Sequence, residues 1–282
     1  MRLVAKAEKW KLAEVFKISR GSRTETELVT VSLYDGTFEG RGECMANPRY
    51  NETQESVLAC INKVDIDDQI NRQKLQTLLP ACAARNAIDC ALWDLEAKRA
   101  GKRVTELVGI DKSTTLITAF TISADTPDKM AAAAHRNSER PLLKLKISGD
   151  CDVDRVKAVR YGAPNARLIV DANEAWTEDM VEPLSKQLKA LGVEMIEQPL
   201  PKDADRALAN IPHTIPFCAD ESCHTTQDLE NLLGLYDVVN IKLDKAGGLT
   251  EAIRLKRNAM AKGFKIMVGC MISTSLAMAP AY

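Results

Sequence analysis

Apolar positions follow two different rhythms along this chain. Over Glu27–Leu33 and Thr37–Cys44 they read as two strands joined by Tyr34, Asp35 and Gly36, whose Asp-Gly pair is a strong hairpin signal. Thr53–Val64 reads as a helix. After Pro80 a second helix runs through AARNAIDCALWDLEAKRAG, with Ala84, Ala87, Ile88, Ala91, Leu92 and Leu95 at helical spacing and Gly101 as the stop. Residues 1–110 are therefore expected to form an α+β unit, a hairpin followed by helices. From Thr114 the pattern becomes a regular alternation. Strands are expected at Thr115–Ile122, Leu142–Ile147, Arg167–Asp171, Glu194–Glu197, Ile215–Ala219, Val238–Leu243 and Lys265–Gly269. Helices between them open at Asp125-Thr126-Pro127, Thr177-Glu178 and Thr225-Thr226-Gln227. Such alternation favours parallel strands linked by right-handed crossovers. Seven strands fall short of the roughly eight that close a barrel. The expectation for 111–282 is thus a TIM-like (β/α) barrel, of the α/β class, cut short at its C-terminus and lacking its last strand.

The ends of these predicted strands carry the chemistry. Lys146, Asp171, Glu197, Asp220 and Lys245 recur at intervals of 25, 26, 23 and 25 residues, about one strand–helix unit. Each closes or directly follows a short apolar run: LLKLKI, RLIVDA, VEMIEQP, IPFCADE and VVNIKLDK. In a parallel barrel successive strand ends meet on one rim, where active sites form. Three carboxylates are thereby expected to converge between two lysines. Asp171, Glu197 and Asp220 offer oxygen ligands with no nearby histidine or thiolate, which suits Mg²⁺ better than Zn²⁺. Any one strand-end acid is as well explained by capping a helix or pairing with a lysine; three in register make that the poorer explanation.

Lys144 and Lys146 alternate with Leu143, Leu145 and Ile147, so the two-residue period sends both ammonium groups to one face. Repulsion between them lowers the pKa of one and makes it a base. Lys242 and Lys245 are assigned to the sixth strand, which sets Lys245 across the metal from Lys146. A base on each face of a carbon next to a carboxylate removes a proton from one side and returns one to the other. The stereocentre inverts through an enediolate that a divalent ion stabilises. With one base active, the same intermediate eliminates a β-substituent instead.

Composition narrows the classes. The chain has 282 residues, is 45% hydrophobic and carries a net charge of −1, with no basic tract of the kind that binds nucleic acid. Met1–Lys11 is charged throughout and has no signal-peptide core, and no stretch approaches the ~18 apolar residues of a membrane span. A soluble cytoplasmic protein is the expectation. Eight scattered cysteines contain no CxxC pair, so reduced, structural thiols are expected.

The strand-end motifs closely resemble the enolase superfamily, in its muconate-lactonizing-enzyme-like branch. They are K-L-K (144–146), D-A-N (171–173), E-Q-P (197–199), A-D-E-S (219–222) and N-I-K-L-D-K-A-G-G (240–248), together with the A-R-N-A-I-D-C-A-L-W-D-L helix (84–95) of an N-terminal capping domain. Lysine bases working with Mg²⁺ are a known pattern of that superfamily. Within the branch the chain is most similar to L-Ala-D/L-Glu dipeptide epimerases, through R-G-S-R (20–23), G-E-C (42–44), P-R-Y (48–50), A-D-E-S-C-H (219–224) and V-G-C-M (268–271). The resemblance implies that Asp171, Glu197 and Asp220 bind Mg²⁺ and that Lys146 and Lys245 form a two-sided acid/base pair. Lys144 would contact the substrate carboxylate and depress the pKa of Lys146. Arg20 and Arg23, placed in a mobile loop of the cap, would offer a guanidinium to the distal carboxylate of the glutamyl residue. Tyr50, Cys270 and Met271 would line the pocket. The implied role is epimerisation of L-Ala-D-Glu from recycled cell-wall peptide. The family's eighth strand, with an Asp-x-Asp motif for the dipeptide's ammonium group, has no counterpart before Ala281 and Tyr282. Its absence would leave the first and seventh strands as open edges prone to association, and a homo-oligomer stays open.

Other readings remain at this point. Dehydration of the o-succinylbenzoate-synthase kind or a cycloisomerisation would use the same scaffold. A Schiff-base enzyme would use Lys146 or Lys245 as a nucleophile. A non-catalytic binding protein or an inactive truncated form would use neither.

Overall fold

The computed structural model describes residues 1–67, 69–110, 115–149 and 151–282. The N-terminal part is a three-stranded antiparallel sheet in the order β1-β2-β3, formed by β1 (Arg2–Ile18), β2 (Gly21–Asp35) and β3 (Phe38–Met45). The expected hairpin is β2–β3, closed by the pair Asp35 and Phe38. Strand β1 went unread because it is an edge strand whose side chains are exposed or half-buried along its whole length, so no apolar stripe marks it. Its register on β2 shifts between Lys11 and Phe16, and its far end pairs Phe16 with Arg23.

Two expected helices pack on this sheet. One is Gln54–Asn62, opened by a capping box between Thr53 and Ser56. The other, Ala83–Ala100, ends at Gly101 as read from the sequence and buries Ala84, Ala87, Ile88, Ala91 and Leu95. It comes so close to β3 that a Cβ on Gly42 would stand 2.0 Å from the carbonyl oxygen of Ala87. Backbone touches backbone here, so only glycine fits. A short helix, Arg72–Leu78, was also unread; Leu75 is its one buried residue, too little for a periodic signal.

The rest forms a seven-stranded parallel sheet in the order β10-β9-β8-β7-β6-β5-β4, a curled half-barrel with β4 and β10 at its edges. The strands are β4 (Phe120–Ile122), β5 (Leu142–Lys146), β6 (Arg167–Asp171), β7 (Val193–Glu197), β8 (Phe217–Ala219), β9 (Val238–Ile241) and β10 (Lys265–Val268). Leu143, Leu145, Leu168, Val170, Ile196, Phe217 and Val239 are fully buried under the crossover helices, as parallel strands covered by helices require. Three expectations are trimmed. The first barrel strand is confined to Phe120–Ile122 rather than starting at Thr115, and residues 111–114, where the expected domain boundary falls, lie outside the described residues. The helix expected at Thr225 opens as a 3-10 turn, Thr226–Asp228, before Leu229–Leu232. The sixth strand stops at Ile241, and Leu243–Ala246 is a helical turn.

Candidate active site

Parallel pairing brings the strand ends into one row. Lys146 on β5 lies beside Asp171 on β6, and Asp171 beside Glu197 on β7. Cys218 on β8 pairs with Glu197, so Asp220 emerges just past the next strand end. One ligand oxygen from each of Asp171, Glu197 and Asp220 lies within 4.8 Å of the others, and all three residues are buried. That spacing fits an octahedral cation with oxygens at about 2.0–2.1 Å, whose ligand atoms stand at most about 4 Å apart after a small contraction. The outward oxygens are already held: Asn240 Nδ2 donates to Glu197 Oε1 at 2.8 Å, and the Asn173 amide donates to Asp171 Oδ1 at 3.0 Å. Glu197 Oε2 and Asp220 Oδ1 accept no well-angled hydrogen bond, although ammonium groups stand 2.5 and 2.7 Å away. Three hard anionic oxygens within 4.8 Å of one another suit a divalent ion.

Four lysines converge on this row. Lys144 Nζ bridges Asp171 Oδ2 at 2.9 Å and Glu197 Oε2 at 2.5 Å. Lys146 Nζ donates to Asp171 Oδ2 at 2.7 Å and to Asn173 Oδ1 at 3.0 Å. Lys242 Nζ donates to Asp220 Oδ2 at 2.6 Å. Lys245 Nζ lies 2.7 Å from Asp220 Oδ1 and donates to the carbonyls of Asp220, Cys223 (2.7 Å) and Asn240 (3.1 Å). Lys146 thus sits at the Asp171 end of the row and Lys245 at the Asp220 end. Lys245 reaches it from the helical turn after β9, not from the strand as the sequence suggested.

Burial and charge separate these groups. Burial, seconded by repulsion from Lys144 and Lys242, lowers the pKa of Lys146 although Asp171 and Glu197 pull it up. Burial also works against the Lys144 charge, but Asp171, Glu197 and Asp220 outweigh it and lift that group well above the usual lysine range. Glu197 is pushed up to about 7 by burial and by the neighbouring Asp171 charge. Asp171 and Asp220 remain depressed despite burial, the first because of Lys144 and Lys146, the second because of Lys242 and Lys245.

A cavity of about 360 Å³ reaches the row at Lys146, Asp220 and Lys242 and is lined also by Arg20, Arg23, Tyr50, Cys270 and Met271. A second cavity of the same size, between Val15 and the helix Pro127–Arg136, lies away from the carboxylates. Arg20 occupies the tight turn between β1 and β2, and Arg23 lies on β2 itself. The Arg20 guanidinium is engaged by Glu174 (3.0 Å), by Glu221 (2.7 Å) and by the carbonyl of Asn173 (2.8 Å). Arg23 has no carboxylate partner among the described residues; its Nη1 meets the sulfur of Met45 at 3.9 Å. Tyr50 packs edge-on against His224, ring centroids 4.5 Å apart. Asn47 donates to the Met271 sulfur at 3.7 Å.

Several members of the site were not singled out beforehand, though they lie inside the quoted motifs. Gln198 accepts from the amides of Asp220 (2.9 Å) and Ser222 (3.2 Å), fixing the loop that presents Asp220. It does so from a left-handed backbone, φ 36°, which no residue type announces. Asn173 lies two places past Asp171, Glu221 one place past Asp220, and Asn240 two places before Lys242, which the sequence places beside Lys245.

A row of buried carboxylates flanked by lysines, set at the C-terminal ends of parallel strands under an α+β cap, is the construction of an acid/base barrel enzyme. The chain belongs to the enolase superfamily. Residues 1–109 match the mandelate racemase / muconate lactonizing enzyme N-terminal domain, and residues 129–282 match the enolase C-terminal domain-like family. It is 47% identical over 278 residues to an L-Ala-D/L-Glu epimerase of Escherichia coli (strain K12), covering 97% of this chain and 87% of that one. It is 45% identical over 258 residues to an N-acetyl-D-glutamate racemase of a Pseudoalteromonas species, covering 90% and 82%. Among solved structures, an enolase family member from Agrobacterium tumefaciens with homology to dipeptide epimerases, bound to sodium and L-Ala-L-Glu, superposes with a TM-score of 0.97 at 50% identity, covering 99% of this chain and 86% of that one.

Proposed function

We propose that this protein is a Mg²⁺-dependent dipeptide epimerase that interconverts L-Ala-D-Glu and L-Ala-L-Glu by 1,1-proton transfer. The observation that carries the reading is the row itself: Lys146 at one end, Lys245 at the other, three buried carboxylates between. Asp171, Glu197 and Asp220 would hold the ion, whose charge would offset the second negative charge of an enediolate. Lys146, with its lowered pKa, takes the α-proton from one face of the glutamyl carbon. Lys245 delivers a proton to the opposite face, and in the reverse direction the two exchange roles. Lys144 stays charged beside Lys146 and faces the substrate carboxylate. Arg23 supplies the guanidinium for the distal carboxylate, because Arg20 is already spent on Glu174 and Glu221. Tyr50, Cys270 and Met271 line the side-chain pocket. Consumption of murein peptides in the cytoplasm is the setting that fits this substrate. Among the described residues no helix is long and apolar enough to cross a membrane.

The racemase relative supports a second reading, in which the amino group carries a simple acyl group rather than an alanyl residue. Both substrates share a glutamate whose nitrogen is in an amide. Incubation in D₂O with L-Ala-D-Glu, L-Ala-L-Glu and N-acetyl-D-glutamate distinguishes them: the true substrate gains deuterium at Cα and inverts, while loss of water would indicate a dehydratase. Arg23→Met should lower kcat/KM for the glutamyl substrate by about 10- to 100-fold, the worth of a charge-assisted hydrogen bond. It should spare an alanyl one. Deuterium incorporation into none of the three sinks the proposal.

A further inference from the structure

The two lysines are held by unlike means. Lys146 closes β5, which is paired to β4 on one side and β6 on the other. The cap's Phe16 ring lies 5.9 Å from Nζ, and no cap group hydrogen-bonds Nζ directly among the described residues; Ser19 and Arg20 of the cap meet only the backbone carbonyl of Asn173, whose side chain accepts from Lys146. Lys245 instead sits on the four-residue helix Leu243–Ala246. That is far shorter than the ~12–15 residues a helix needs to persist in water without help.

The Lys245 ammonium meets barrel groups, the carbonyls of Asp220, Cys223 and Asn240, but the backbone of its turn is gripped by the capping helix Ala83–Ala100. The buried Arg85 guanidinium donates through Nη2 to the carbonyl of Ala246 at 2.7 Å and through Nε to that of Gly247 at 2.9 Å. Asn86 Nδ2 donates to Asp244 Oδ1 at 3.0 Å, an oxygen that also accepts the Met45 amide at 3.0 Å. Asp89 Oδ2 accepts the Thr250 amide at 2.9 Å, anchoring the following helix at its start. Positions 85, 86 and 89 share one helix face. The fit leaves no slack: a Cβ on Gly247 would fall 2.6 Å from Arg85 Nε, and one on Gly248 2.5 Å from Asp89 Cβ. Lys245 is therefore bracketed, with Asp244 gripped before it and the 246 and 247 carbonyls gripped after it.

We propose that Arg85, Asn86 and Asp89 are positioning residues for Lys245 alone, so that docking of the cap sets one base while the barrel sets the other. The assignment rests on the two-base reading above. None of the three touches the reacting atoms; they act through the backbone of residues 244–250.

The test compares Arg85→Lys, which keeps the charge but loses the planar fork, and Asn86→Ala with the unsubstituted protein and with Lys146→Ala and Lys245→Ala. Each is given Mg²⁺ in D₂O with L-Ala-L-Glu and L-Ala-D-Glu separately, and deuterium entry at the glutamyl Cα is followed with and without inversion. For both positioning variants, exchange from the epimer that Lys245→Ala also loses should fall about 10- to 100-fold, the cost of misplacing a catalytic group by about 1 Å. The other epimer should keep exchanging at a nearly unchanged rate, with its inversion slowed to a similar degree. Amide hydrogen exchange over 243–249 should quicken while that over 142–146 does not. Equal loss from both epimers, unaltered exchange from both, or selective loss of the epimer that depends on Lys146 each overturns the assignment. If one variant does not fold, the other carries the test. Should the unsubstituted protein exchange neither dipeptide, the proposed function has failed, and the amide exchange of 243–249 still decides whether Arg85 and Asn86 hold that turn.

Discussion

Glu197 should make cation binding depend on pH in a direction set by its surroundings. Its carboxyl is wholly buried, and burial with the adjacent Asp171 charge lifts it to about 7. Near neutrality a proton thus competes with a cation for the same oxygen, while Asp171 and Asp220 stay ionised beside their lysines. Binding of Mg²⁺ should release about one proton at pH 6 and almost none at pH 8, and the apparent affinity should rise about tenfold between them. The cation-free protein carries the matching sign. Between the ordinary 4.5 and about 7 the folded chain keeps a proton that the unfolded chain has lost. Its stability therefore falls as pH rises through that window, by up to about 3 kcal/mol, and Mg²⁺ should restore it. Calorimetric titration with MgCl₂ at pH 6 and pH 8, in buffers of different ionisation enthalpy, counts the protons directly. Glu197→Gln should release none at pH 6 and bind Mg²⁺ more weakly at pH 8. Equal proton counts at both pH values, with an affinity that does not move, would refute the reasoning.

Removing either base should be far costlier than removing a pocket residue. Lys146→Ala and Lys245→Ala should each lower epimerisation by about 10²- to 10⁴-fold in both directions, read by chiral chromatography; full turnover in both would dismiss the two-base scheme. Gly42→Ala drives a methyl group to 2.0 Å from the Ala87 carbonyl, where neither backbone can yield. A loss of about 1–3 kcal/mol or more in urea unfolding is expected, and an unchanged midpoint contradicts it. His224 is pushed down to about 4 by burial and by Lys245. Because that lies below its unfolded value, its contribution to stability is lost as pH falls from about 6.5 to 4. Its imidazole resonances should stay put from pH 8 to pH 5; a midpoint near 6.5 would count against the buried, neutral ring.

Much of the site was legible because each key residue ends a run of apolar positions, and parallel pairing turns that one-dimensional spacing into a row. The strand Arg167–Asp171 was read to the residue for this reason. Lys245 was misassigned to a strand because Ile241 and Leu243 continue the alternation through the bend, and four residues are too few to show a helical period. Strand β1 gave no stripe, since it buries no side chain fully. The loss of Arg20 to ion pairs was out of reach for another reason. Glu174 and Glu221 lie 154 and 201 residues away, a distance no local pattern spans. Asp89 and Thr250 are hidden from one another in the same way.

The close seating of the capping helix on residues 246–250 constrains anyone who would re-engineer this enzyme. Its cap also carries Arg23 and Tyr50 at the mouth of the pocket, which makes exchanging caps between relatives an inviting route to new substrates. A transplanted cap would import its own helix face along with its own pocket lining. On the proposed two-base scheme, a chimera in which the arginine, asparagine and aspartate of that face did not travel unchanged would gain a new preference and forfeit the hand that turns the substrate over.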